Sequence, residues 1–174
     1  MVRLFKKKGL IIKMKKIITL LLIIIIIFVG IEMIIMNTKN SNKDINIDMQ
    51  KLAEDLIAAQ IFEDDLSIID EDSIIKKYNF NKEDFKNIIS YVGTGATVEE
   101  ILIIEVSDKN KINEFKKIIE TKIEELKINF QSYLPKEVFK LENCNLITKD
   151  NYIILCISNN DEKANEIINN YINN

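Results

Sequence analysis

The stretch DKNKINEFKKIIETKIEELKINFQSYL, residues 108–134, decides how the larger part of this chain folds. Its apolar residues recur at intervals of three or four positions, while lysines and glutamates fill most of the other positions. The apolar positions are Ile112, Phe115, Ile119, Ile123, Leu126, Phe130 and Tyr133. This spacing predicts one long amphipathic helix that buries a single stripe. Pro135 follows directly and ends the helix, because proline cannot continue the ladder of backbone hydrogen bonds.

Extended segments lie on both sides of this helix. Four of them are predicted strands, because aliphatic and β-branched residues dominate each run: 88–92, 100–106, 144–148 and 152–157. Residues 93–97 are rich in turn-forming residues and separate the first two strands. A turn at residues 149–151 joins the last two strands into a hairpin. Another extended segment covers residues 66–69.

Smaller helices complete the pattern. Asp48 is predicted to cap a helix that runs to about Phe62, and Asp70 to cap a helix that ends at Tyr78. The other predicted elements are a short helix around Phe85, a short turn over 136–141 and a last helix over 161–172. The element order is therefore helices followed by β-β-α-β-β-α. This order predicts an α+β fold of two layers, in which an antiparallel sheet carries the helices on one face.

The first 36 residues have a different character. Residues 17–31 (IITLLLIIIIIFVGI) are uncharged, and the apolar run resumes after Glu32 and ends at Met36. A helix of about 20 mainly apolar residues is long enough to cross a bilayer. Seven cations and no acid precede the run: Arg3, Lys6, Lys7, Lys8, Lys13, Lys15 and Lys16. The positive-inside rule then predicts a cytoplasmic tail (1–16), a single transmembrane anchor (17–36), and an outer domain (48–174) on a polar tether (37–47).

Two alternatives remain for this segment. A cleaved secretory signal has the same basic start and apolar run, but it needs small residues near its cleavage site, and Gly30 is the one small residue of residues 28–31. Translation could also start at Met14, which leaves the predicted orientation unchanged. Glu32 lies close enough to the end of the run for its carboxylate to reach the outer interface. We expect a protein of the cell membrane whose C-terminal domain lies outside.

Composition excludes several kinds of function for the outer domain. Residues 37–174 hold 17 Lys and 26 Asp or Glu, a net charge of −9, and no Arg. A domain this acidic is a poor ligand for nucleic acid, because phosphate contacts depend on clustered basic residues. The chain has no His, and its two Cys are too few for a cysteine-rich zinc site. The sequence offers no catalytic, cofactor-binding or metal-binding motif, and clusters such as Glu63-Asp64-Asp65 match no calcium loop.

Four stretches resemble an uncharacterised family, domain of unknown function 4358: IDEDSIIKKYNFNKEDFKNIISY (69–91), VEEILIIEVSD (98–108), FQSYLPKEVFKLEN (130–143) and ITKDNYIILCIS (147–158). The landmarks are the Asp-led helix ending at Tyr78, the Tyr133-x-Pro135 pair and the Asn151-Tyr152 hairpin tip. The resemblance covers about residues 51–172. It implies a Gram-positive extracytoplasmic protein, anchored by a helix or a lipid, and supplies no activity. This chain lacks the lipid-attachment cysteine of the lipoprotein members.

Whether the two cysteines can form a disulfide depends on the number of residues in the hairpin tip. With a three-residue tip, Cys144 lies opposite Cys156 and a disulfide is conceivable. With the two-residue tip Asp150-Asn151, Cys144 pairs with Ile157 and the two thiols point to opposite faces. The second geometry fits the residue preferences of tight hairpins better, so buried free thiols are expected.

Six residues are candidates for a binding surface: Tyr91, Gly93, Gly95, Tyr133, Pro135 and Tyr152. The loop from Gly93 to Thr97 is the predicted binding loop, and its alternative is a plain hairpin connection. The main functional hypothesis is a binding module at the cell envelope that catalyses nothing and contacts an envelope protein or a glycan. The alternative is a cell-envelope hydrolase or transferase that uses a carboxylate-based site.

Overall fold

The computed structural model describes residues 45–173, which form one five-stranded antiparallel sheet with helices packed against it. The strands are β1 (Ser67–Ile69), β2 (Phe85–Val92), β3 (Glu100–Val106), β4 (Asn145–Lys149) and β5 (Tyr152–Ile157), in the order β1-β2-β3-β5-β4. The predicted α+β class is confirmed. The predicted basic tail, the transmembrane anchor and residues 37–44 of the tether lie outside the described residues. Within residues 45–173, no helix is both long and apolar enough to span a bilayer.

Five α-helices accompany the sheet: α1 (Met49–Ala58), α2 (Glu71–Tyr78), α3 (Ile112–Phe130), α4 (Pro135–Glu142) and α5 (Asp161–Ile172). Side chains satisfy free backbone N–H groups where three of them begin. Asp48 accepts a hydrogen bond from Lys51 N, and Asp70 accepts one from Ser73 N. Both predicted caps are confirmed, and Asn160 caps α5 in the same way.

Helices cover both faces of the sheet, so the predicted placement on one face is wrong. One core lies between the sheet and α2, α3 and α4, where it contains Leu102, Ile104 and Phe115. The other lies between the sheet and α1 and α5, and it contains Ile101 and Ile103. The cause is visible in β3 and β5, whose residues are almost all buried, because a strand covered on both faces is a continuous apolar run. The domain therefore has three layers.

The core on the α1 and α5 side, called the second core below, includes residues from the predicted tether. Ile47 is buried there, and Ile45 is packed against it. The globular domain therefore begins before Asp48, the residue at which the sequence pattern placed its start.

Three segments differ from the sequence prediction. Residues 136–141 form most of helix α4 instead of a turn, because Pro135 occupies the first helical position, where its fixed backbone angle suits a helix. Phe85 begins strand β2 and follows a short 3-10 turn over Lys82–Asp84. Helix α1 ends at Ala58 instead of near Phe62. The extended segment predicted over 66–69 is confirmed as the edge strand Ser67–Ile69, which pairs with β2.

The hairpin between β4 and β5 has the two-residue tip. Lys149 pairs with Tyr152, so Asp150 and Asn151 form the turn, and Asp150 has φ = 52°. Cys144 packs against the core beneath α3, while Cys156 lies in the second core. The two thiols are free and lie on opposite faces, as the two-residue tip predicts.

Candidate functional site

Buried charge collects where β3 begins. Lys140 Nζ lies 2.9 Å from Glu99 Oε1, 3.2 Å from Glu137 Oε1 and 3.1 Å from Glu63 Oε2. Lys140 and Glu137 are three residues apart on α4 and therefore share one helix face. The side chains of Lys140 and Glu99 are 4% and 0% exposed. Glu99, Glu137 and Lys140, with the 55% exposed side chain of Glu63 at their edge, are called the buried ion cluster below.

Backbone groups complete the hydrogen bonding of the buried ion cluster. The Glu99 carboxylate accepts from Glu63 N at 2.9 and 3.0 Å and from Asp64 N at 2.9 Å. Glu137 Oε2 accepts from Val98 N at 3.0 Å. Burial alone lowers the pKa of Lys140, but its hydrogen bonds to Glu99 and Glu63 outweigh burial and raise the pKa. Lys140 therefore stays charged, and the two buried carboxylates are occupied by protein donors.

Asp64 connects this cluster to the loop of residues 93–97. Asp64 Oδ2 accepts from Thr94 N at 2.7 Å, from Thr94 Oγ1 at 2.8 Å and from Thr97 Oγ1 at 3.3 Å. These hydrogen bonds, those of Thr94 first, lower the pKa of Asp64. A Cβ atom at Gly93 would lie 2.7 Å from Asp64 Oδ2 and 2.9 Å from Thr97 Oγ1, so a larger residue there would displace these side chains. Gly95 has φ = 94°, which a residue with a side chain rarely adopts.

The same loop borders a cavity of about 300 Å³, called the loop cavity below. Its apolar lining residues are Ile69, Val92, Val98, Leu126 and Phe130, while Gly93, Gly95 and Thr97 of the loop and the carboxylate residues Glu99 and Glu100 also line it. Lys77 also lines it, and its Nζ lies 2.7 Å from Glu100 Oε2, so its charge is already neutralised. A second cavity, of about 370 Å³, lies between α2 and α3, and Lys77 lines it too.

Exposed apolar side chains are concentrated in one stretch of the chain. Five large apolar residues of the described chain are exposed, and four of them fall within residues 128–139: Ile128, Tyr133, Leu134 and Phe139. These four, at the end of α3 and the start of α4, are called the corner surface below. The Tyr133 ring packs on Phe130, with ring centroids 5.0 Å apart, and Phe130 lines the loop cavity. Tyr133 is therefore the residue of the corner surface that adjoins the loop cavity.

The six residues predicted from the sequence do not form one surface. Gly93 and Gly95 line the loop cavity, and Tyr133 belongs to the adjoining corner surface. Pro135 is exposed at the start of α4. Tyr91 packs against the second core, where its hydroxyl accepts from Gln50 Nε2 at 2.8 Å. Tyr152 is 3% exposed in the same core, so its ring is not available to a partner.

Sequence reasoning missed the buried ion cluster and the exposure of Ile128 and Phe139. One signal for the cluster was present, because Glu99 and Glu100 stand directly before the apolar run of residues 101–104. Two carboxylates in that position need partners, since a buried charge is costly unless it is paired. Among the described residues, no group of three or more Asp, Glu, Cys or His side chains is arranged to hold a metal ion.

Comparison with known families decides the identity. A family model described as "Domain of unknown function (DUF4358)" matches residues 59–158, more than half of the chain. The chain belongs to this family. The matched part of the DUF4358 domain contains all five strands with α2, α3 and α4, and therefore the buried ion cluster, the loop cavity and the corner surface. Helices α1 and α5, which cover the second core, lie outside it. No curated protein and no solved structure matches the chain significantly.

Proposed function

We propose that this DUF4358 protein is a binding module that recognises a protein partner at the cell envelope and catalyses no reaction. The observation that carries the proposal is the concentration of exposed apolar side chains on the corner surface. Exposed apolar side chains that occur singly are normal on proteins, whereas a cluster beside a cavity is typical of an interaction site. Ile128, Tyr133 and Phe139 are each at least 60% exposed, and Tyr133 adjoins the loop cavity through Phe130.

The chemistry of the loop cavity favours a protein segment over a glycan. Five aliphatic or aromatic residues line it, and its charged lining residues are already paired within the protein, Lys77 with Glu100 and Glu99 with Lys140. A sugar has many hydroxyl groups and needs side chains that donate and accept hydrogen bonds. An apolar side chain of a partner needs only the apolar walls, and aromatic anchors such as Tyr133 and Phe139 are frequent at protein interfaces.

The arrangement of carboxylates argues against the alternative of a hydrolase or transferase. Glu99 and Glu137 both contact Lys140, and backbone N–H groups occupy their other acceptor positions. An acid or base in catalysis must come within hydrogen-bonding distance of a substrate. Although Glu99 lines the loop cavity, its side chain is 0% exposed, and its carboxylate is bonded to Lys140 and to the N–H groups of Glu63 and Asp64.

The cellular location belongs to the proposal and depends on the sequence. The apolar residues 17–36 with seven cations before them support a single-pass anchor in the cell membrane, with the N-terminus in the cytoplasm. Protease added to intact cells tests this directly. We expect the domain to be digested while a cytoplasmic control protein stays whole. Survival of the domain under conditions that digest a known surface protein would contradict the proposed orientation.

Site-specific photocrosslinking in intact cells tests the binding surface. A photoreactive amino acid at position 139 is expected to give a discrete protein adduct. The matched control is the same probe at Glu162, which is exposed on α5 over the second core. Equal adducts from both positions, or none from position 139, would contradict the proposed surface. An adduct that glycan-degrading enzymes remove would assign the surface to a glycan.

A further inference from the structure

We infer that Asp64 couples helix α4 to the rim of the loop cavity, so that a partner on the corner surface and a side chain in the cavity influence each other. The inference rests on the proposed function, since it describes how the two parts of the proposed binding site communicate. Three links carry it: α4 to Glu99, Glu99 to the backbone of residues 63 and 64, and Asp64 to the loop.

The first link is the attachment of α4. Its buried residues are Glu137, Lys140 and Leu141, so two of the three carry a charge. Leu141 and Val138 attach the helix to the core, and ion pairs and hydrogen bonds supply the rest of its attachment. These interactions depend on geometry more steeply than apolar contact does. Phe139, on the same helix, is 66% exposed and belongs to the corner surface. A force on Phe139 therefore acts on the ion pair of Lys140.

The second link runs through Glu99. Its carboxylate contacts Lys140 and also accepts the N–H groups of Glu63 and Asp64. The position of Asp64 is thus tied to the position of the Lys140 ammonium group. Glu63 strengthens the tie, because its carboxylate contacts Lys140 as well.

The third link joins Asp64 to the rim. One oxygen of Asp64 accepts three hydrogen bonds from Thr94 and Thr97, and Gly93 fits against that oxygen only because it lacks a Cβ atom. A shift of Asp64 therefore requires a change in the loop. A shorter connection runs in parallel, since Glu137 of α4 accepts from the N–H of Val98, the residue after Thr97.

These links make α4, the segment of residues 63–64 and the loop one mechanical unit. A partner segment that docks on Phe139 and Tyr133 changes the loop, and a side chain inside the loop cavity changes the hold on α4. Coupling of this kind is reciprocal, because each ligand alters the affinity of the other by the same factor. The occupant that uses both parts is one continuous protein segment, which presents an apolar side chain to the cavity and lies across the corner.

Amide hydrogen exchange on the full chain in lipid nanodiscs tests the coupling without a partner. In the variant Lys140→Met, we expect the Thr94 N–H, which donates to Asp64, to exchange at least about tenfold faster than in the unchanged protein. The Ile154 N–H in the centre of the sheet should keep its rate. Lys136→Met is the matched control, because Lys136 is exposed on the same helix. It should leave Thr94 unchanged.

A second background separates coupling through Asp64 from general loosening. In the variant Asp64→Ala, the Thr94 N–H has lost its acceptor and already exchanges fast. Adding Lys140→Met to that variant should not increase the exchange rate of the Thr94 N–H further. An equal increase in both backgrounds, or no effect of Lys140→Met on Thr94, overturns the inference. If Lys140→Met also exposes Ile154, the variant has lost its fold, and Glu137→Gln takes its place with the Thr94 N–H as the readout. Unchanged exchange at Thr94 then overturns the inference. Crosslinking at position 139 tests the proposed function, whereas amide exchange tests the coupling. A negative result in one measurement therefore does not decide the other.

Discussion

Lys140 and Glu99 form an ion pair of 2.9 Å inside the protein, although they are 41 residues apart in the sequence. The pair joins helix α4 to the start of strand β3. Because both side chains are almost completely removed from water, the loss of either one leaves an uncompensated charge in the interior. Several measurable properties of the domain follow from this pair and from its surroundings.

Removing the ammonium group should destabilise the domain strongly. We expect Lys140→Met to lower the free energy of unfolding by about 3 kcal/mol, because Glu99 and Glu137 would remain buried without a cation. Lys136→Met, on the exposed side of the same helix, should change it by less than about 0.5 kcal/mol. Urea denaturation followed by circular dichroism measures both. Similar values for the two variants would show that the buried ion cluster contributes little.

Alkaline pH should weaken the same attachment. The pKa of Lys140 in the folded protein is above its ordinary value of 10.5, because the hydrogen bonds to Glu99 and Glu63 outweigh the effect of burial. The stability from its charge is therefore fully present below the ordinary pKa and is lost as the pH rises through the raised value. We expect the difference in unfolding free energy between the unchanged protein and Lys140→Met to shrink above that pH. A difference that stays constant up to strongly alkaline pH would contradict this prediction.

The cysteines should be unreactive in the folded protein. Burial raises the pKa of Cys156 to about 12, and burial also raises the pKa of Cys144. The thiolate is the reactive form, so both thiols stay protonated near neutral pH. We expect iodoacetamide at pH 8 to modify neither thiol in the native protein and both in urea. Mass spectrometry after oxidising treatment should detect no bridge between Cys144 and Cys156, and such a bridge would require a different register of the hairpin.

The hairpin tip offers a stabilising substitution. Asp150 adopts φ = 52°, a conformation that glycine tolerates without the steric cost of a Cβ atom. We expect Asp150→Gly to raise the free energy of unfolding by about 0.5 kcal/mol. The lost ion pair with Lys109, 3.5 Å long and partly exposed, offsets little of this gain. Asp150→Ala is the control and should destabilise. A Gly variant no more stable than the Ala variant would contradict the interpretation.

Much of the fold was predictable from local pattern. The stripe from Ile112 to Phe130 identified α3, and the capping residues Asp48 and Asp70 placed the starts of two helices. These signals are local, since a helix needs only its own periodicity and its own free N–H groups to be recognised. Strand β3 was predicted at Glu100–Val106 from a local signal as well, its run of aliphatic residues.

The layering and the candidate site depend on contacts between distant segments. The sequences of β3 and β5 are near-continuous apolar runs, and such runs indicate that helices cover both faces of the sheet. Which helix covers which face is decided by tertiary packing. The contact between Lys140 and Glu99 is invisible in sequence, because lysines and glutamates are frequent on every helix of this chain. Tyr152 illustrates the same limit, since an aromatic residue at a hairpin tip can turn into the core or away from it.

Crosslinking combined with a surface substitution tests the central claim most directly. A photoreactive amino acid at Tyr133 reports contact in intact cells, and Phe139→Ser or Ile68→Ser is added to that chain. Both substituted residues are exposed, at 66% and 58%, but only Phe139 belongs to the corner surface. We predict that Phe139→Ser removes most of the adduct without lowering the free energy of unfolding, and that Ile68→Ser leaves the adduct unchanged. Full adduct formation in the Phe139→Ser chain would contradict the assignment of the corner as the binding surface.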